Sequence, residues 1–299
     1  MALKQIKNKI DSTKKTAKVT KAMEAVSAVK MRKSQEKALG GRSYAGAALS
    51  ILKQLSKTND PALDLYTKTR TEGKSLLIIV TSDKGLAGSV NSAVLKQAEQ
   101  FLEGKSCDTI CIGRKAAEFA KREGKEVIRE YLNVQDDVVM DDIGEISGMA
   151  MGRFWLGEYK EVFIVYQNFV STFEQKPTLR QMLPLKEEDL TSMVEGIAPK
   201  TGKYAEEDVK AHTALYTFEP NAEMVLSALM AYLMQIMVFH ALIESKACEH
   251  SARMVAMKNA TDKAKELTKA LTIQFNKARQ AQITAEVSEI TGGIEAMKS

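Results

Sequence analysis

Apolar residues recur at helical spacing at both ends of the chain, and both ends are nearly free of helix breakers. The first glycine is Gly40, and only two glycines follow Pro220. Near the start, heptad positions are filled by Leu3, Ile6, Ile10, Thr13 and Ala17. After a small shift of register, the stripe is expected to continue at Val19, Met23 and Val26. The pattern predicts one helix over residues 1–56, loosened at Gly40–Gly41.

A second long helix is predicted over residues 220–299. Glu219, Pro220 and Asn221 form a typical start, because proline suits the first turn and acidic side chains favour the positive end of the helix dipole. Apolar positions spaced three and four apart then occur at Leu267, Leu271, Phe275, Ala278, Ile283, Val287, Ile290, Ile294 and Met297. A helix of about 75 residues extends about 110 Å at 1.5 Å per residue. Much of it is therefore expected to project, as a coiled coil or into another protein.

Between these helices, residues 57–219 predict an α/β domain. Leu76–Val80 is a continuous apolar run, which is typical of a buried parallel strand. Three more strands are predicted at 109–112, 127–132 and 162–165, and helices at 92–102, 115–123 and 141–159. This alternation indicates a mainly parallel sheet with helices on its faces. The polar segment 185–215 contains glycine and proline and is expected to be a loop or an insertion.

Positive charge is concentrated on the helical ends. Residues 1–42 hold twelve Lys or Arg against three Asp or Glu, and residues 246–299 hold nine against six. The whole chain carries a net charge of only +5, so its middle is acidic. The partner of the basic helices is therefore expected to be acidic. The N-terminus has neither a signal-peptide core nor an Arg- and Ser-rich transit character, so no export is expected.

Two glycine-containing segments are candidates for phosphate-binding loops. Thr81–Asn91 follows the first predicted strand, but its GLAG sequence is not GxGxxG, which favours a structural βα turn. Gly196 and Gly202-Lys203 have the wrong spacing for a Walker A loop, and Tyr204 stands where Ser or Thr is required. Neither segment predicts a nucleotide site.

The residues that carry metal or acid–base chemistry are few. The three cysteines are Cys107, Cys111 and Cys248. This count is low and is an odd number, so it does not indicate a disulfide framework and favours a reducing compartment. His240, Glu244 and Cys248 share one helix face, but zinc would need a fourth ligand and tighter clustering. Polar positions on a helix seam are the favoured interpretation. No catalytic residue, metal site or cofactor is predicted.

Val225–Ile243 has no charged residue unless His240 is protonated. Its 19 residues would just span a bilayer. Ser227, Gln235 and the absence of flanking basic residues on the N-terminal side argue against a membrane span. A helix buried against the α/β domain on one side and the N-terminal helix on another is the favoured interpretation.

Both ends and the first loop resemble the gamma subunit of F-type ATP synthase. The similarity covers the whole chain in the same order and is weakest at residues 185–212. The resembling segments are IKNKIDSTKKTAKVTKAMEAVSAVKMRKSQ (Ile6–Gln35), TSDKGLAGSVN (Thr81–Asn91) and CEHSARMVAMKNATDKAKELTKALTIQFNKARQAQITAEVSEITGG (Cys248–Gly293).

The resemblance implies a central rotor shaft. The two long helices would form an antiparallel coiled coil inside the ring of alpha and beta subunits. The Rossmann-like, mainly parallel α/β domain would form the foot, together with the epsilon subunit, on the c-subunit ring. Proton flow would turn ring and shaft and drive the beta subunits through their conformational cycle. The implied subunit is non-catalytic, binds no cofactor or nucleic acid, and is peripheral on the cytoplasmic face of a bacterial plasma membrane.

The resemblance also assigns contact residues. Beta-subunit contacts are implied for Met23, Arg279, Gln280, Thr284 and Glu286. Glu249 and Arg253 are implied to lie near Met23 within the shaft. Contacts with the c ring are implied for Tyr216 and Glu219.

The residues alone leave two other classes open. One is a nucleotide-using α/β enzyme with helical arms, which tight nucleotide binding by the isolated chain would favour. The other is a basic coiled-coil protein that binds nucleic acid, which a steeply salt-dependent affinity for DNA would favour.

Overall fold

The computed structural model describes residues 3–40, 47, 51, 66–138, 140–185, 219 and 221–297. The chain divides into two compact units, one of residues 28–253 and one of residues 1–27 with 254–299. The main helices of the described residues have the bounds α1 Leu3–Gly40, α2 Val90–Leu102, α3 Arg114–Arg122, α4 Met140–Trp155 and α5 Ala222–Ala296. The predicted continuation of α1 to residue 56 lies outside the described residues, except for the helical Ala47 and Ile51.

The larger unit contains a five-stranded sheet in the order β3-β2-β1-β4-β5. Its strands are β1 Lys74–Val80, β2 Cys107–Ile112, β3 Val127–Tyr131, β4 Tyr159–Phe169 and β5 Gln175–Leu183. The first four are parallel, as predicted, and β5 runs antiparallel to β4. The prediction missed β5, which is a half-buried edge strand that tolerates Pro177.

Helices cover both faces of the sheet, which explains the continuous apolar run of β1. Leu76 and Ile78 point into a core with α4 and the first part of α5. Leu77 and Ile79 point into a second core with α2 and α3. All four side chains are fully buried. The predicted helix over 141–159 was too long, because Tyr159 is already the first residue of β4.

The amino-terminal part of α5 belongs to the first of these cores. Asn221 caps it, since its Oδ1 accepts a hydrogen bond from the Met224 backbone N–H at 2.8 Å. This helix is long and apolar enough to cross a membrane, but 67% of its most apolar window is buried in the protein. Leu233 and Met234, for example, are fully buried. For Val225–Ile243, the prediction of a helix buried against the α/β domain is confirmed.

The smaller unit pairs residues of α1 with the carboxyl-terminal part of α5. The hydroxyls of Thr20 and Thr261 lie 2.6 Å apart and are buried. Residues before Thr20 and residues after Thr261 belong to this same unit, so the two segments run antiparallel. Buried or half-buried seams have heptad spacing in both helices, at Leu3, Ile6, Ile10, Thr13, Ala17 and Thr20, and at Met257, Thr261, Ala264, Thr268, Leu271, Phe275 and Ala278.

Two details of the predicted seams were wrong. The first seam keeps its register through Thr20, whereas Val19 and Val26 are more than half exposed on the outer faces. In α5, Thr268 takes the seam position and Leu267 is exposed. In both cases a threonine lies on the seam and donates its hydroxyl to the helix backbone, to Thr16 O and Ala264 O respectively. A prediction that looks only for apolar residues at heptad spacing selects the neighbouring Val19 and Leu267, and therefore misses these two threonines.

Candidate functional sites on the sheet edge and the long helices

The loop after β1 uses its polar groups to hold its own shape. The Asn91 side chain accepts the Ser82 backbone N–H at 3.0 Å and donates to Ser82 Oγ at 2.7 Å. The Ser82 hydroxyl donates to Lys84 O at 2.8 Å. The Asp83 carboxylate accepts the backbone N–H of Arg114 at the start of α3. The loop is a structural βα turn, as predicted.

Helix α5 lies against this loop at the carboxyl edge of the sheet. Arg253 donates through Nη2 to Gly85 O at 3.2 Å and to Glu249 Oε1 at 2.7 Å. Both charged side chains are about nine-tenths buried. The cavity left beside β1 has a volume of about 10 Å³, which holds about one water molecule. Open α/β sheets bind ligands in the crevice at this edge, and here the chain's own helix fills it.

A second polar cluster surrounds Asp136, in the connection between β3 and α4. Its carboxylate forms an ion pair with Lys30 Nζ of α1 at 2.6 Å and a hydrogen bond with His250 Nε2 of α5 at 3.0 Å. Lys246 Nζ lies 3.8 Å away and donates to Val134 O at 2.8 Å. Burial raises the pKa of Asp136, but the Lys30 hydrogen bond and the nearby His250 and Lys246 outweigh this and lower it to about 2. Burial also lowers the pKa of His250, against the pull of Asp136.

These groups line an open cleft of about 380 Å³. Its walls carry both signs of charge, since Lys30, Lys246 and Arg253 face Asp136 and Glu249. Lys30, Lys246 and Arg253 are paired with these carboxylates. Lys84 and Asp83 also line the cleft. Most of its charged side chains are therefore engaged in internal ion pairs.

The predicted helix face of His240, Glu244 and Cys248 is fully buried in α5. Asn168 Nδ2 donates to Glu244 Oε2 at 2.9 Å, and His240 Nε2 lies 3.5 Å from Glu244 Oε1. Burial raises the pKa of Glu244 to about 8 and lowers that of His240 to about 3. Cys248 donates weakly to Gln167 O. In the described part of the chain, no three His, Cys, Asp or Glu side chains are placed to hold a metal ion.

The four residues predicted as beta-subunit contacts near the end of α5 are all exposed. Thr284 donates its hydroxyl to Gln280 O at 3.0 Å, and Glu286 accepts from Gln282 at 2.8 Å. On the same part of the helix, large apolar side chains are at least half exposed, namely Ile283, Val287, Ile290, Ile294 and Met297. This stripe begins five residues after Ala278, one position out of register with the inner seam.

The remaining predicted contact residues are placed as follows. Met23 is half-buried on α1 and belongs to the smaller unit, whereas Glu249 and Arg253 belong to the larger one, so their proximity to Met23 stays a prediction. Glu219 is exposed just before α5. Tyr216, the 185–215 segment apart from Leu185, and Gly196–Tyr204 lie outside the described residues.

Sequence reasoning missed the cluster around Asp136. Its α5 members Lys246 and His250 lie four residues apart and, with Glu249 and Arg253, form one polar face directly after the apolar stretch. That spacing was an available signal. Lys30 and Asp136 are separated by 106 residues and carry no local signal of their own.

Comparison with solved structures defines the class of fold. The chain is similar to one in the central stalk and c-ring of the Tetrahymena thermophila mitochondrial ATP synthase, with a TM-score of 0.60 and 24% identity, covering 81% of this chain and 99% of that one. It is also similar to a chain of the Euglena gracilis mitochondrial ATP synthase, with a TM-score of 0.65 and 21% identity over 99% and 94% of the two chains. The fold is that of an ATP synthase central-stalk chain.

The sequence comparisons define the family. A family model described as ATP synthase matches residues 2–297. The ATP synthase gamma chains of Pelotomaculum thermopropionicum and Heliobacterium modesticaldum are both 36% identical, and each comparison covers 99% of this chain and 99% of the relative. The chain belongs to the ATP synthase gamma chain family, and the predicted resemblance is confirmed.

Proposed function

We propose that this chain is the central-stalk rotor subunit of a proton-translocating ATP synthase. In this role it couples rotation of the c ring to conformational cycling of the beta subunits, in ATP synthesis or hydrolysis. Membership of the gamma chain family supports the role. The single observation that carries the mechanical part is the exposed apolar stripe at the end of α5.

This stripe needs a partner surface. Ile283, Val287, Ile290 and Ile294 are 50 to 64% exposed on one helix face. Exposed contiguous apolar surface of this kind marks an interaction site. An apolar sleeve formed by the alpha and beta subunits would surround the end of α5 and cover the stripe at every angle of rotation. The helix could still turn, because apolar contact is non-directional.

Polar residues beside the stripe would supply the contacts that change during a turn. Arg279 is exposed and, among the described residues, has no ion-pair partner. A guanidinium binds a carboxylate of a beta subunit bidentately, and Gln280 adds a neutral donor beside it. Thr284, Glu286 and Met23 are proposed to share these contacts. Glu249 and Arg253 would act inside the shaft near Met23.

The foot is proposed to bind the epsilon subunit and the c ring, with Tyr216 and Glu219 on the c-ring side. The subunit itself would be non-catalytic, because α5 and Arg253 fill the crevice where an α/β enzyme binds a nucleotide. It would be peripheral on the cytoplasmic face of the plasma membrane and hold no cofactor.

Rotation of the assembled complex tests this function. Phe173 lies in the β4–β5 turn and is 86% exposed, so Phe173→Cys offers a site for a probe. The three native cysteines are buried, and burial raises the pKa of Cys107 to about 12 and of Cys111 to about 11, so the new thiol reacts selectively. With alpha and beta subunits immobilised, ATP should drive unidirectional rotation of the probe. A chain that fails to assemble with them, or a probe that stays still during ATP hydrolysis, would refute the proposal.

A further inference from the structure

One carboxylate joins the α/β domain to both long helices. Asp136 belongs to neither helix, yet it contacts Lys30 of α1 and both Lys246 and His250 of α5. We call these four residues the Asp136 hub. All of them lie in the larger compact unit.

The hub differs from the other polar contacts of α5 with the α/β domain, such as Asn168–Glu244 and Arg253–Gly85, because it also includes a residue of α1. The amino-terminal part of α5 is held to the sheet mainly by apolar side chains such as Leu233 and Met237. Apolar packing contributes most of the stability but is not directional. Charge-assisted hydrogen bonds at 2.6 and 3.0 Å fix both distance and direction.

The partners of Asp136 are held in place by further contacts. Lys246 is nearly buried and donates to Val134 O, two residues before Asp136. The His250 ring is also buried. The neighbouring Asp137 forms an ion pair with Lys37 of α1. The connection between β3 and α4 therefore binds one helix at two points and the other through two adjacent turns.

We propose that the Asp136 hub locks α1 and α5 to the α/β domain against relative rotation, so that torque on the domain enters both helices together. The proposal rests on the rotor function proposed above. Asp136 is here a positioning residue, since it acts on the reaction only through the two helices. A merely structural role would lower the stability of the chain and leave its torsional stiffness unchanged.

The test measures torsional stiffness in the assembled complex. The catalytic ring is immobilised and stalled with a non-hydrolysable ATP analogue, and the angular variance of a probe on Phe173→Cys is recorded. The main variant is Lys30→Gln, because this side chain is half exposed and its loss should not unfold the domain. The matched control is Lys33→Gln, which removes the same charge from an exposed position on the same helix.

We expect Lys30→Gln to raise the angular variance about twofold, because it removes one of the two described ion pairs that join α1 to the β3–α4 connection. The Lys33→Gln variance should equal that of the parent. Asp136→Asn should raise the variance further, since it also weakens the contacts to α5, and its control is the exposed carboxylate variant Asp262→Asn. ATP hydrolysis without load should keep the parent rate in all four.

The outcomes separate the two proposals. If the parent complex with the Phe173→Cys probe does not rotate when ATP replaces the analogue, the rotor function itself is wrong. If the parent rotates and Lys30→Gln has the same variance as Lys33→Gln, the hub proposal alone is wrong, and this holds even if Asp136→Asn fails to assemble.

Discussion

The two parts of α5 are continuous in the backbone and opposite in their surroundings. Up to Arg253 the helix is largely buried, and its apolar side chains pack against the sheet and α4. From Arg279 to Met297 every residue with a described side chain is exposed, although large apolar side chains recur every three or four positions. Helical periodicity in the sequence is therefore the same signal for a core and for a surface that awaits a partner.

This difference separates stability from assembly. Side chains in the first part should decide whether the domain folds. Side chains in the last part should matter little to folding and much to the contact with other subunits. The four predictions below compare the two parts, and the only tryptophan, Trp155 at the end of α4, gives a fluorescence signal for unfolding of the domain.

The largest effect is expected from a charge in the buried part. Leu233→Asp should lower the free energy of unfolding by more than about 4 kcal/mol, because a carboxylate in this fully buried apolar site has no partner. Ile290→Asp should change it by less than about 0.5 kcal/mol, since that side chain is already exposed. Urea unfolding of the full chain measures both. Similar losses for the two variants would remove the distinction between the parts.

The buried ion pair at the end of the first part comes next. Arg253→Met should cost about 3 kcal/mol, because it leaves the Glu249 carboxylate buried without its main partner. The double variant Arg253→Met with Glu249→Gln should recover part of that loss, since no buried charge then remains unpaired. The same unfolding assay gives the coupling between the two positions. A double variant as unstable as the sum of the single variants would contradict the pairing.

A smaller, pH-dependent effect is expected at Glu244. Burial raises the Glu244 pKa to about 8 from an ordinary value of 4.5, so the folded chain keeps a proton that the unfolded chain loses. Its contribution to stability therefore falls as the pH rises from 4.5 to 8. Burial lowers the pKa of His240 to about 3 from 6.5, and this residue acts in the opposite direction below pH 6.5.

Of the two groups, only Glu244 contributes to the pH dependence of stability between pH 6.5 and 8. The parent should lose up to about 2 kcal/mol over this window, at 1.36 kcal/mol for each pH unit. Glu244→Gln keeps an acceptor for Asn168 and should abolish that slope. Unfolding at a series of pH values measures it, with the exposed Glu289→Gln as the control. An unchanged slope in Glu244→Gln would mean that this carboxyl is already ionised in the folded chain.

The sequence predicted the elements that rest on strong local patterns. β1 is apolar at consecutive positions, and a capping asparagine, Asn221, precedes α5, so both elements were predicted in the right part of the chain. β5 was missed, because an edge strand with polar residues and Pro177 lacks both the alternation and the apolar run of a strand. Thr20 and Thr268 were missed as seam residues, because side chains that satisfy their own hydroxyls locally can be buried without being apolar.

The candidate site divides in the same way. The exposed end of α5 was identified from its resemblance to a family, which carries residue types and order. The Asp136 hub depends on contacts between residues more than 100 positions apart, and no local pattern encodes such a contact. Long-range ion pairs become visible only when the fold brings their elements together.

The smallest effect on stability is expected at the exposed end of α5. Arg279→Ala combined with Gln280→Leu should change the free energy of unfolding by less than about 0.5 kcal/mol, because both side chains are exposed. The helical content of the chain, measured by circular dichroism, should equal that of the parent. In the assembled complex, by contrast, the pair should lower steady-state ATP turnover or block assembly. A charged hydrogen bond to a beta carboxylate is worth about 1.5–3 kcal/mol, which is weak enough to be broken at each step of a turn.

The control must separate this contact from the general loss of a basic side chain. Lys269→Ala with Thr272→Leu changes two exposed positions on the same helix, removes one positive charge and leaves the proposed contact intact. We expect that control to assemble and to turn over ATP at the parent rate. If the Arg279 and Gln280 double variant also assembled, and if its turnover and torque equalled those of the parent, then the end of α5 would act only through its apolar stripe. The exposed polar residues beside that stripe would then be a solvated face, and the difference between the two parts of α5 would rest on Ile283, Val287, Ile290 and Ile294 alone.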